Sequence, residues 1–262
     1  MPLVSIDGGE IYFEEYGAGF PVLCFSPGSL RSQISFWRSL PRNPDKTPPW
    51  MDPTTSLAPY FRVIAMDQRN AGRSRGPITE SDSWDMYARD QIAVLDHLGI
   101  GKCHVLGACI GATFALKLCE VAPERIAAVA LMQPIGRVPE NIEYTRKEVN
   151  ESWVPGLLKV NPALDLAKTR RFGERLLGSE FVHAVSREFV SGCSTPILIM
   201  PGDEIAHPSA IAEELLHLAP RAEYLKFWRA QGRDYSVSVI RDFFKRHGVN
   251  ESAHAGKIEY EK

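Results

Sequence analysis

Apolar and polar positions alternate over residues 3–6 and 10–16, on either side of Asp7-Gly8-Gly9, which predicts a two-stranded hairpin. Short, nearly continuous apolar runs follow at 21–26 (PVLCFS), 61–66 (FRVIAM), 103–106 (CHVL), 127–132, 196–200 (PILIM) and 222–227. Runs of this length predict strands buried on both faces. Between them the period turns helical, at 84–98, 110–121, 208–218 and 235–247, with Gly99 as a stop after the first. Strands alternating with helices predict an α/β fold, with a mostly parallel central sheet and helices on both faces.

One stretch breaks the alternation. About 60 residues between Gln133 and Pro196 show helical periodicity and no strand. Helices are expected at 140–153, 162–177 and 179–190, as a small helical lid over the carboxyl edge of the sheet. The organisation expected is a core of residues 1–136 and 195–248, a lid of 137–194 and a flexible tail of 249–262. Residues 41–59 carry six prolines and read as a loop.

Composition narrows the function classes. Thirty Lys and Arg against 32 Asp and Glu give a net charge of −2, no electrostatic reason to expect nucleic acid or an anionic membrane. No apolar run is long enough to span a bilayer and no signal-peptide pattern opens the chain. The five cysteines, Cys24, Cys103, Cys109, Cys119 and Cys193, show no metal-ligand spacing. A reduced, cytoplasmic protein with no metal and no cofactor is therefore expected, with a small molecule as its partner; a homodimer is left open. Cys24, Cys103 and Cys119 fall in apolar patterns and read as core thiols.

Cys109 is different. It lies in Gly107-Ala108-Cys109-Ile110-Gly111-Ala112, between a predicted strand and a predicted helix. A G-x-Nu-x-G turn there forces the central residue out at the sheet edge, and any bulk two residues to either side would strike backbone. The dipole of the following helix favours a thiolate.

With this turn the chain resembles the α/β-hydrolase superfamily over about residues 3–247. Pro27-Gly28-Ser29 stands where that family has His-Gly-x. Met66-Asp67-Gln68-Arg69-Asn70-Ala71-Gly72-Arg73-Ser74 is similar to its D-x-R-G-x-G-x-S turn, and Pro201-Gly202-Asp203-Glu204-Ile205-Ala206-His207-Pro208 to its acid-bearing loop. Cysteine at the elbow is similar to dienelactone hydrolases, at that motif alone. The resemblance implies an oxyanion hole from the N–H groups of Ile110 and Ser29, with Gly28 beside it. It implies an acid at Asp203 or Glu204, with Glu204 favoured.

The family's late histidine is missing: residues 227–235 (FWRAQGRDY) contain none. His207, in the acid loop, is the best substitute base, as a Cys109–His207 pair oriented by Asp203 or Glu204. Its alternative role is to cap the helix opened by Pro208. His183 could reach substrate from the lid, and Trp37, Trp50, Trp153 and Trp228 could line a pocket or simply pack. His97 and His104 read as structural, and His217, His247 and His254 as exposed. The function implied is hydrolysis of a small ester, lactone or thioester through Cys109. The alternatives are a lyase, isomerase or acyl-transfer reaction on the same fold, or non-catalytic ligand binding.

Overall fold

A computed structural model describes residues 2–39, 47–79 and 81–248. The strands are β1 (Leu3–Ile6), β2 (Gly9–Tyr16), β3 (Pro21–Phe25), β4 (Arg62–Met66), β5 (Cys103–Ala108), β6 (Ile126–Met132), β7 (Ile197–Met200) and β8 (Ala222–Tyr224). The helices are α1 (Pro53–Ser56), α2 (Trp84–His97), α3 (Ile110–Val121), α4 (Ile142–Glu148), α5 (Val154–Val160), α6 (Leu166–Leu177), α7 (Arg187–Gly192), α8 (Ser209–Leu218) and α9 (Arg233–His247).

The eight strands form one sheet in the order β1-β2-β4-β3-β5-β6-β7-β8. β1, β2 and β4 pair antiparallel, and every pairing from β4 through β8 is parallel. The expected hairpin, α/β class and mostly parallel sheet are all present.

Alternation along the strands builds two cores, because successive side chains leave opposite faces. Leu23, Phe25, Ile64, Val105, Val129, Leu131, Ile197 and Ile199 pack under α2, α3, α8 and the helices that follow β6. Val22, Cys24, Val63, Leu106, Ala128, Ala130 and Leu198 face the other way, against Trp37, Trp228 and the Ile240, Phe243 and Phe244 face of α9. Trp37 and Trp228 therefore belong to the second core, and neither lines the cavity described below. Trp228 Nε1 donates to the Pro201 carbonyl at 2.9 Å, tying the segment after β8 to the loop after β7.

The stretch between β6 and β7 is helical but differently divided. α4 runs through a wide, π-type turn at Val149–Trp153 directly into α5, so the first helix extends past its expected end. α6 matches. The third expected helix, 179–190, is broken: Phe181 (φ 54°) and His183 (φ 69°) sit in the left-handed region, and Phe181 bridges to Arg137 instead. Only α7 remains. A one-turn helix, α1, interrupts the 41–59 loop, capped by the Asp52 carboxylate on the Thr54 N–H. The expected tail, 249–262, and His254 lie outside the described residues. Among the described residues, no helix is long and apolar enough to cross a membrane.

Candidate active site

Cys109 stands at the junction of β5 and α3 with φ 58° and ψ −119°, a strained position for a residue with a side chain. Its flanking glycines have a measurable reason to be there. A Cβ on Gly107 would lie 2.1 Å from the Gly111 carbonyl oxygen, and one on Gly111 would lie 2.2 Å from the Phe25 oxygen. The turn closes only if both positions are bare. It leaves the Cys109 side chain half-buried at the sheet's carboxyl edge, while the other four thiols are buried in the core.

The loop after β3 faces this turn. Ser26 and Ser32 fix it from within, Oγ to Oγ at 3.0 Å, and Ser32 Oγ donates to the Ser26 carbonyl at 2.7 Å. Asp67 clamps its far end by accepting from the Ile34 N–H at 2.7 Å and from the Arg73 N–H at 2.9 Å. Arg69 forms a buried two-pronged pair with Asp90 at 2.8 and 2.7 Å. The Asp67–Ser74 motif is thus scaffolding that holds the loop. The N–H groups aimed at the Cys109 sulfur are those of Gly28 and Ile110. Gly28 takes a φ of 117°, which a side chain would resist. Ser29 lines the cavity wall beside it.

His207 comes from the loop between β7 and α8. Gly202 admits it, since a Cβ there would lie 2.3 Å from the His207 Cβ. The His207 N–H bonds the Glu204 carbonyl at 2.8 Å, curling the loop so that the ring turns inward. The ring and the Cys109 side chain are near enough for each to shift the other's ionisation. Its Nδ1 lies 3.3 Å from Glu204 Oε1, an ionic contact. Glu204, and not Asp203, meets the imidazole; Asp203 is exposed and pairs with Arg229.

The electrostatics of this pair are mutual. Burial opposes an ionised thiol at Cys109, but the charge and hydrogen bond of His207, then the Gly28 and Ile110 N–H groups, outweigh it and hold the thiol below its ordinary value. Burial likewise opposes an imidazolium at His207. The Cys109 charge and hydrogen bond, then Glu204, outweigh that and push it up to about 9. Both shifts act toward a thiolate–imidazolium pair.

The pair opens into a cavity of about 350 Å³, within the range of small-molecule sites. The wall from the core carries Gly28, Ser29, Arg31, Trp50 and Gln133, the helices after β6 contribute Tyr144, Glu148 and Trp153, and the loop before α7 contributes His183. Of the four tryptophans considered, Trp50 and Trp153 line it. His183 Nδ1 donates to the Ser179 carbonyl at 3.0 Å, and burial lowers its pKa to about 4, so a neutral ring faces the cavity. His104 is sealed in the core, His217 is exposed, and His247 is half-buried against Phe243 rather than exposed. No cluster of three metal-ligating side chains occurs among the described residues.

Two residues escaped the sequence reading. Gln133, at the end of β6, has φ 41° and places Nε2 3.5 Å from His207 Nε2. Arg229, in the segment where the superfamily keeps its late histidine, reaches Gln133 Oε1 at 2.6 Å and Glu204 Oε1 at 3.5 Å, and pairs with Asp203. The 227–235 stretch named Arg229 without giving it a partner, because its contacts lie far away in sequence.

Residues 21–231 match the model of the alpha/beta hydrolase fold family. The chain belongs to that family. Among curated relatives, a putative carbamate hydrolase RutD from Azorhizobium caulinodans is 32% identical over 132 residues, covering 50% of this chain and 44% of the relative. A proline iminopeptidase from Neisseria meningitidis is 40% identical over 126 residues, covering 47% of this chain and 36% of the relative. The matched segments thus span less than half of these relatives. Among solved structures of the fold, an enol-lactonase from Burkholderia xenovorans LB400 superposes with a TM-score of 0.64 at 20% identity, covering 93% of this chain and 100% of that one. A meta-cleavage product hydrolase from Pseudomonas fluorescens IP01 gives 0.65 at 18% identity, covering 94% and 98%. At these identities the superpositions establish the shared fold.

Proposed function

We propose that this α/β-hydrolase-family chain hydrolyses a small ester, lactone or thioester through a Cys109 acyl-enzyme. The observation that carries the reading is the Cys109–His207 pair, with the thiol held down, the imidazole held up and both opening on a cavity. The thiolate attacks the substrate carbonyl carbon, and the oxygen that gains charge meets the N–H groups of Gly28 and Ile110. The His207 imidazolium gives its proton to the departing alcohol or thiol, leaving an acyl thioester on Cys109. Neutral His207 then takes a proton from water, whose oxygen attacks the thioester. Collapse expels the thiolate and releases the acid, and His207 is again an imidazolium.

Glu204 orients the ring, though more than half of its side chain is exposed, so solvent screens its charge. The curated relatives that break carbon–heteroatom acyl bonds by name support this class of reaction without fixing its substrate. The test is to mix the protein with p-nitrophenyl acetate and a panel of lactones. A burst of nitrophenol with an acetyl group on Cys109 by mass spectrometry is expected, and Cys109→Ala abolishes both. Full turnover by Cys109→Ala, or turnover without any adduct on Cys109, excludes the mechanism.

A further inference from the structure

Arg229 contacts Asp203, Glu204 and Gln133, the last two of which approach opposite sides of the imidazole. One guanidinium nitrogen pairs with Asp203; the other donates to Gln133 Oε1 at 2.6 Å and lies 3.5 Å from Glu204 Oε1. Glu204 is on the Nδ1 side of His207, and Gln133 Nε2 approaches Nε2. A single planar guanidinium thus bridges the groups on both sides of the ring. Its own position is set by packing over the Trp228 ring, 4.9 Å from the centroid, and Trp228 is itself bonded to the Pro201 carbonyl.

The Gln133 amide is the informative partner. A guanidinium only donates, so the amide oxygen must face Arg229 and the NH2 must face His207 and the cavity. Reversed, the amide would set NH2 against the cation. Arg229 therefore fixes the polarity of a cavity-lining group as well as the placement of the carboxylate.

We propose that Arg229 is a positioning residue, which holds the Glu204 carboxylate beside Nδ1 of His207 so that the ring stays turned to Cys109, and which turns the Gln133 NH2 toward Nε2, where it donates only once the imidazolium has given up that proton. This rests on the Cys109 acyl-enzyme reading. Nη1 takes Asp203 while Nη2 takes Gln133 and Glu204, so a lysine, with a single nitrogen, restores the charge but not both arms of the fork. The groups whose titration the arrangement governs are Cys109, His207 and Glu204.

The experiment compares Arg229→Met, Arg229→Lys, Gln133→Ala, Asp203→Asn and the Arg229→Met/Gln133→Ala double variant with p-nitrophenyl acetate. Arg229→Met is expected to lower kcat by about 30-fold with KM within about threefold, since orientation of the base is lost and binding is not. Arg229→Lys recovers part of the loss, Asp203→Asn costs about threefold or less, and the double variant loses much less than the product of the two single losses. A purely structural Arg229 would instead lower the melting temperature, leave kcat per folded molecule unchanged and combine additively with Gln133→Ala; that result overturns the proposal. Should Arg229→Met fail to fold, Arg229→Lys and Gln133→Ala carry the same kcat-against-KM comparison. Cys109→Ala, run alongside, separates the two failures: turnover in Cys109→Ala removes the acyl-enzyme itself, whereas an inactive Cys109→Ala beside a wild-type-like Arg229→Met removes Arg229 alone.

Discussion

A cysteine stands at each end of β5, Cys103 as its first residue beside His104 and Cys109 just past its last beside His207 of the β7–α8 loop, and the fold treats the two pairs in opposite ways. At its start, Cys103 and His104 are sealed in the core. His104 stacks on Phe244 with centroids 4.5 Å apart and planes 6° apart, and Phe20 and Phe61 pack around it. Burial pushes the Cys103 thiol up to about 12 and the His104 imidazole down to about 3, so both are neutral. At its end, burial acts in the same direction on Cys109 and His207 and loses to their mutual attraction, the Gly28 and Ile110 N–H groups and Glu204. Residue type does not separate the Cys103 thiol from the Cys109 thiol. What separates them is whether an oppositely charged partner and preset donors converge on the sulfur.

The comparison breaks most sharply by deleting one thiol at each end. Cys109→Ala is expected to lower kcat/KM for p-nitrophenyl acetate by about 10³-fold or more, while Cys103→Ala leaves it within about threefold, measured per folded molecule. The histidines follow. His207→Ala should cost about 10²- to 10³-fold, and His104→Phe little. With His207 intact, kcat/KM should rise as Cys109 ionises, below the ordinary thiol value of 9.0, and fall as His207 loses its proton near about 9. A profile still climbing above that pH would show that no imidazolium takes part. Glu204→Gln should cost about tenfold, less than a buried orienting acid would, because its carboxylate is screened by water.

The smallest effect on activity is at His104, where the readout is stability. Its folded value of about 3 lies below the ordinary 6.5, so between those values the unfolded chain holds a proton that the folded one refuses. Its contribution is complete above pH 6.5 and is eroded on acidification, with a slope of at most about 1.4 kcal/mol per pH unit. His104→Phe should flatten acid unfolding over that window; an unchanged curve would mean that His104 is protonated in the folded state.

Much of this was legible from local pattern. Gly107 and Gly111 announce the elbow because the backbone they must clear is close in sequence or in the adjoining strand, and strand alternation sorts the two cores. Glu204 and His207 share one short loop, so their pairing is a matter of spacing. Gln133 and Arg229 are 96 residues apart, and no local period joins them. Trp37 and Trp50 look alike in sequence, yet only Trp50 reaches the cavity, a distinction set by how the loops fold back. The break at Phe181 and His183 is likewise tertiary: Phe181 pairs with Arg137, with N–H to carbonyl at 2.7 Å, and this overrides a helical pattern.

The rate of Cys109 alkylation by iodoacetamide against pH, followed by mass spectrometry of the Cys109 peptide, tests the ionised pair most directly. The wild-type midpoint is expected below 9.0, and His207→Ala should move it upward. A wild-type midpoint at or above 9.0, or one that His207→Ala leaves in place, would contradict the account.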